Sequence, residues 1–342
     1  MKFCLYQKLA TAALIAVLAL LFIGAIVRVT GAGMGCPDWP TCWGLLIPPT
    51  HVNQVDFDKL PIEKFQRKAQ RMGRDPATIS QASLRKEFNP RHVWTEFLNR
   101  LSSLPVAAFT LATFVASFWL RKSRPQVFWL SFAAVLLVLA NAIMGAMLVY
   151  SNLSPVVITI HLALAMLLIC VLVYCVWAGA DHPWKITMDS CAGYSRKLVA
   201  ILLLAVIIEG IFGSQIRELT DELAKAHIDS PRESWITELE QSAIYFIHRS
   251  FSWVILIVTL IAFFQAREHQ PRGITPTQYG VLGIVIAQMF LGLIMAQVHI
   301  YSWVQVLHVG LAAILLALVF RWFLSLPKNG DDQLPTHPIV TL

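Results

Sequence analysis

Charge is scarce in this chain. Only 14% of its 342 residues are Asp, Glu, Lys or Arg, while 57% are hydrophobic. A soluble domain carries about a quarter of its residues charged to cover its surface, so a soluble globular class is excluded. Acidic residues are fewer than basic ones, 20 against 27, giving a formal net charge of +7. That excess forms no basic groove with interleaved aromatics, which sets nucleic acid aside as a partner. It falls instead in small clusters between apolar runs, as orientation signals do. A cleavable leader is not evident either. The first apolar stretch runs uncharged from Leu9 to Val27, longer than a usual leader core, and no clear small-residue cleavage site follows. It reads as a first membrane span.

A helix needs about 20 apolar residues to cross a bilayer. Eight segments qualify, near 8–28, 99–120, 126–150, 155–178, 197–216, 243–266, 276–298 and 303–325. No charge occurs from Pro125 to Ala180 or from Gly273 to Phe320, and each of these stretches holds two helices. The first turns back at Ser151–Pro155, where proline opens the next helix. The second turns near His299–Ser302. Arg121, Lys122 and Arg124 follow span two, Lys185, Arg196 and Lys197 follow span four, Arg267 and Arg272 follow span six, and Arg321 and Lys328 follow span eight. These loops share one side with Lys2 and Lys8, whereas the turns at 151–154 and 299–302 are uncharged. Positive residues stay inside, which predicts cytoplasmic termini and an outer segment over 29–95. The fold class expected is an all-α membrane protein of eight spans.

The two halves repeat each other. Phe22–Arg28 in span one parallels Ile211–Arg217 in span five, and Glu96–Arg100 parallels Tyr245–Arg249. Gly145 precedes His161 by 16 residues, and Gly292 precedes His308 by the same 16. Four spans per half give both halves one orientation about an axis along the membrane normal. This predicts two four-helix bundles side by side, 1–180 and 181–342.

The repeat puts Asn99, His161, His248 and His308 in register, each one to two turns below the outer end of its helix. Ionisable groups inside a membrane are costly and point to function. Two imidazoles at one depth on facing helices suit axial ligation of heme iron in a dry bundle core. The alternative is a pair of histidines hydrogen-bonding between helices. Arg100 and Arg249 lie one residue past these positions, and Arg28 and Arg217 end spans one and five on the same face. Guanidinium groups there either pair with heme propionates or snorkel to outer headgroups. Glu96 lies three residues before Asn99 on the same helix face. It either meets a ligand's reacting edge or pairs with Arg100 at i+4. Glu209 sits in mid-span five, where span one has Leu20. Pairing with a histidine, proton relay and a protonated core role all remain open for it.

Cysteines are few, six in all, and only Cys36 and Cys42 fall outside the membrane as a close pair. Such a pair reads as a disulfide. A loop this short also suits a strained, accessible, redox-active bond, and zinc is a weaker alternative. Cys4, Cys170, Cys175 and Cys191 read as free thiols. The polar stretch 52–92 is expected to form short amphipathic helices over the outer face.

Arg28-Val-Thr-Gly-Ala-Gly-Met-Gly-Cys-Pro-Asp-Trp-Pro-Thr-Cys-Trp-Gly44, the Glu-x-x-Asn-Arg and His-Arg motifs, and the order of the later histidines resemble the heme A synthases of bacteria and mitochondria, over nearly all of 8–325. The resemblance implies oxidation of a ring methyl of heme O to the formyl group of heme A, destined for heme-copper cytochrome oxidases. It implies a heme b cofactor between His248 and His308, with Arg217 and Arg249 beside it. It implies heme O in the first bundle on His161, with Asn99, Arg28 and Arg100, and Glu96 matching a carboxylate important for activity. Cys36 and Cys42 match an outer-loop pair that can form a disulfide. Heme O synthase and oxidase assembly factors are the implied protein partners, lipid the medium, and the bacterial inner membrane the location; a homo-oligomer stays open. Many members have histidine where this chain has Asn99. Asparagine is a poor iron ligand, so the substrate iron is expected to keep an open position. The second outer loop, 217–242, lacks a cysteine pair that some members carry. The competing classes are a membrane b-type electron carrier, which needs bis-histidine sites in both halves, and a non-catalytic heme-handling assembly factor.

Overall fold

The structure is a computed structural model that describes residues 2–71, 75–151, 153–188, 191–227, 230, 234–297 and 301–327. Its regular elements are helical. Eight helices are long and apolar enough to cross a membrane: α1 Lys2–Val29, α4 Pro90–Ser117, α5 Pro125–Tyr150, α6 Pro155–Ala178, α7 Ala192–Ala226, α9 Ala243–His269, α10 Pro276–Gln297 and α11 Ser302–Ser325. Three short ones, α2 Ile62–Arg71, α3 Gln81–Glu87 and α8 Ile236–Glu240, lie between them.

Four spans open on proline, at Pro90, Pro125, Pro155 and Pro276. The missing N–H costs nothing at a first helical position, and the fixed φ favours the turn. Asn89 caps α4 by accepting from Arg91 N at 3.0 Å, and Ser242 caps α9 from Tyr245 N at 3.3 Å. The spans are apolar all round: Leu104, Leu111, Leu139, Ile143, Phe264 and Phe290 point large side chains outward. That surface would be a liability in water and is what lipid requires.

Three spans run past their expected bounds: α1 begins at Lys2 rather than near 8, α4 begins at Pro90 rather than near 99, and α7 runs from Ala192 to Ala226 rather than over 197–216. An apolar run marks only the lipid-facing length, while these helices continue through polar turns beyond it. The first tight turn falls between Tyr150 and Pro155 as expected, with Leu153 at φ 60; Asn152 lies outside the described residues. The second falls between Gln297 and Ser302, with His299 outside the described residues, as is Lys328.

Packing follows the repeat. α1 packs on α4, α4 on α5, α5 on α6 and α6 on α1; α7, α9, α10 and α11 close a matching ring. α1 meets α11, and α6 meets both α7 and α11, so α6 and α11, equivalent in the repeat, face each other where the halves join. The largest buried cluster runs through both rings and includes Val17, Leu168, Leu172, Leu202, Leu316 and Trp322. At the C-terminal end of α6, Arg124 donates to the carbonyls of Ala178, Ala180 and Asp181. Arg196 does the same at the end of α11 for Phe323 and Leu326, at 3.2 and 2.9 Å. Carbonyls orphaned at a helix C-terminus take a cation well.

The outer segment folds as expected into short helices, α2 and α3, over its own core of Trp43, Val55, Phe57, Leu60, Ile79, Leu84 and Val93. Gly35 lets it sit on α4: a Cβ there would stand 2.3 Å from the carbonyl oxygen of His92.

Candidate functional site

The four registered positions share one local arrangement. Each rests on a glycine of its antiparallel neighbour. A Cβ built on Gly24 of α1 would stand 3.9 Å from Asn99 Oδ1 of α4, and on Gly145 of α5 4.0 Å from His161 Cε1 of α6. In the second half, one on Gly213 of α7 would stand 3.4 Å from His248 Cε1 of α9, and on Gly292 of α10 4.0 Å from His308 Cε1 of α11. An alanine methyl would already touch each side chain, and anything larger would displace it. The helix faces meet closely so that a planar side chain can lie across the glycine.

His248 and His308 face one another, with ring centroids 6.4 Å apart and planes inclined at 70°. An imidazole nitrogen binds a first-row metal at about 2 Å, so two rings sharing one ion have centres roughly 6 Å apart. His308 is partly buried. The Nδ1 atoms of His161 and His308 are buried without a hydrogen-bond partner among the described residues, and that of His248 is buried with the Glu209 carboxylate oxygen 3.3 Å away. Buried polar atoms are normally satisfied, which disfavours the alternative of histidines bonding between helices. The donor set in the second half therefore fits an axially ligated heme. In the first half the carbonyl of Asn141 approaches the His161 ring, and Asn99 Oδ1 is likewise buried without a partner among the described residues.

The arginines divide. Arg28 and Arg217, expected to serve separate halves, converge on one carboxylate: Arg28 Nη2 lies 3.2 Å and Arg217 Nη2 2.8 Å from Asp221. Arg217 also donates to Gln305 of α11. Arg249 stands exposed one residue past His248. Arg100 turns to the outer segment, donating to the carbonyls of Asp38 at 2.8 Å, Thr41 at 3.0 Å and Cys36 at 3.1 Å.

Glu96 is buried and joins that knot. Its Oε1 lies 2.5 Å from Arg100 Nη2, and its Oε2 accepts from Cys36 N at 2.6 Å. The i+4 pairing is thus present, and it holds the turn that carries the disulfide. Cys36 and Cys42 are bonded, with Cα atoms 4.7 Å apart. Both are buried, so the expectation of an accessible bond is corrected: the Trp43 ring, whose Nε1 donates to Gly35 O at 2.8 Å, and Val93 pack with them in the outer core. Cys4, Cys170, Cys175 and Cys191 are free thiols as expected.

Three participants escaped the sequence. Asp221 had a local signal, an i+4 spacing from Arg217, but its reach to Arg28 depends on tertiary packing that brings the two side chains together. Asp38 organises the disulfide turn by accepting from Trp43 N at 2.7 Å and Gly44 N at 3.0 Å. Gln288, one turn from Gly292, donates to His308 O at 2.8 Å. Glu209, left open above, points at His248: its Oε1 lies 3.3 Å from Nδ1.

These features define a polytopic helical membrane protein with a twofold-repeated, glycine-backed set of imidazole positions near one end of its helices. The family model for cytochrome oxidase assembly protein, COX15-CtaA, matches residues 7–320, and the chain belongs to that family as an integral membrane protein. It is 25% identical over 321 residues to a heme A synthase of Rhizorhabdus wittichii, covering 88% of each chain. It is 25% identical over 317 residues to a heme A synthase of Sphingopyxis alaskensis, covering 86% of this chain and 84% of that one. It is 24% identical over 338 residues to one of Beijerinckia indica, covering 92% and 90%.

Proposed function

We propose that the chain is a heme A synthase, an oxidoreductase that converts a ring methyl of heme O to the formyl group of heme A. Relatives named for that activity align over nearly its whole length, and the facing pair His248 and His308 carries the reading within the molecule. His248 and His308 hold a heme b in the half formed by 181–342. Bound there, heme b supplies one-electron transfer. The half formed by 1–180 takes heme O through His161.

Asn99 replaces an imidazole, so the far side of the substrate iron lacks a strong protein ligand. Gly24 and Gly145 keep backbone close to the flat ligand. Arg28 and Arg217 stand at the outer end of both slots as donors for propionates, sharing Asp221 between them. Glu96 fixes a negative charge at the outer edge of the first slot; a placed charge acts most strongly where water is excluded. Arg100, one turn along α4, holds it by an ion pair. The site lies toward the outer face of the bacterial inner membrane, with both termini in the cytoplasm.

Expression in a host that makes heme O and lacks heme A tests the proposal. Heme A is expected in extracts by mass identification. Glu96→Ala is expected to abolish it while heme b stays bound. Heme b retention without heme A in the unaltered chain would overturn the reading in favour of an electron carrier.

A further inference from the structure

Among the described residues, Glu209 is the one carboxylate set deep in a span against a proposed iron ligand. It stands on α7 one turn inward from Gly213, the glycine that backs His248. Its Oε1 lies 3.3 Å from His248 Nδ1 and accepts from Ser252 Oγ at 2.6 Å. Ser252 is one turn along α9 from His248 and is itself tied to the His248 carbonyl at 2.8 Å. Carboxylate, hydroxyl and imidazole thus form one compact group across α7 and α9. A Cβ on Gly213 would stand 4.0 Å from the same Nδ1, so this nitrogen faces α7 and Nε2 is the nitrogen left for a ligand. Burying a carboxylate at this depth is expensive, and packing alone gives no reason for it. The equivalent residue of the first half is Leu20, so neither Asn99 nor His161 has such a partner from the repeat.

We infer that Glu209 is a positioning residue for His248: it accepts the Nδ1 proton's hydrogen bond, fixes the ring with Nε2 toward the bundle interior, and makes that imidazole a more electron-donating ligand. A histidine that binds metal through one nitrogen commonly gives its other N–H to a carboxylate, which fixes the tautomer and raises ligand basicity. A more basic axial ligand favours ferric over ferrous iron. The repeat therefore carries two differently tuned sites, and the tuned one is the site proposed to relay electrons. Ser252 competes for the same oxygen and moderates the effect. The inference rests on the reading that His248 and His308 bind heme.

The test uses the full chain purified with its heme, with the midpoint potential followed by optical titration and the ferric signal by electron paramagnetic resonance. Glu209→Gln keeps the shape and removes the charge. It is expected to shift the ferric–ferrous equilibrium at least tenfold toward ferrous iron, about 59 mV for one electron. Glu209→Asp keeps the charge and is expected to shift it less than Glu209→Gln. Ser252→Ala frees the carboxylate oxygen for Nδ1 and is expected to shift the equilibrium the other way. An unchanged potential in Glu209→Gln, or equal shifts in the Gln and Asp variants, would overturn the inference. If Glu209→Gln does not retain heme, Ser252→Ala decides: a shift toward ferric iron supports the role, and no shift or the opposite sign rejects it. His248→Ala separates the two claims. Pigment unchanged in that variant removes the heme reading itself, whereas pigment lost with Glu209 silent removes only the tuning.

Discussion

At the residue scale the glycines decide what the site can hold. Gly213 is the tightest of the four, with a built Cβ 3.4 Å from the His248 ring. Gly213→Ala is expected to keep its heme, because that distance is an ordinary van der Waals contact. Gly213→Leu would push the ring off its seat and is expected to lose more than half of the heme bound at the second site, measured as heme per protein after extraction. Asn99 invites the opposite change. Asn99→His would give the first half the imidazole it lacks. The proposed open iron position predicts at least a tenfold fall in heme A made, with a new low-spin ferric signal. A spectrum of the unaltered, substrate-loaded chain showing two bis-histidine hemes would refute the open position.

Elements succeed or fail by how closely they approach. A Cβ on Gly310 of α11 would fall 2.1 Å from the ring of Phe22 on α1, at a crossing that joins the two halves. Gly310→Ala should cost about 1–3 kcal/mol, the usual range for overpacking. Pairing it with Phe22→Ala should recover part of that loss, read as melting temperature in detergent and analysed as a double-mutant cycle. The outer segment depends on one side chain in the same way. Arg100 holds three of its carbonyls and Glu96. Arg100→Ala takes the guanidinium from a buried carboxylate that keeps its bond from Cys36 N, at a cost of about 3 kcal/mol, and limited proteolysis is expected to cut within 36–88 where the unaltered chain resists. The spans themselves were legible, because charge-free runs leave no other fold. The outward lengths of α4 and α7 were not, because Pro90–Glu96 and Glu218–Ala226 look like loop to any apolar window. The register of Asn99, His161, His248 and His308 could be seen in the sequence through the spacing of rare residues. The i+4 pairing of Glu96 with Arg100 and a histidine partner for Glu209 were among the sequence's alternatives, but the carbonyls that Arg100 reaches and the Asp221 partner of Arg28 were not, because each lies on a helix or turn whose neighbour only tertiary packing specifies.

For the whole molecule the question is what holds two similar halves together. Polar and apolar contributions can be ranked. Asp221 ties Arg28 of the first half to Arg217 of the second, but these side chains are 23–31% exposed. Pairs with that much water nearby contribute at most about 1 kcal/mol each. The apolar junction of α1, α6, α7 and α11 is continuous with the largest buried cluster. It also needs close approach at Gly310, so it should dominate. Co-expressing 1–185 and 186–342 as separate chains, with a tag on one, would weigh the two. The halves are expected to copurify, and Asp221→Asn should reduce recovery less than twofold while making it less sensitive to salt. Gly310→Leu should abolish copurification. If Asp221→Asn alone separated the halves, the outer charge cluster rather than helix packing would be what joins them, and the two rings would be better described as docked electrostatically than as one continuous core.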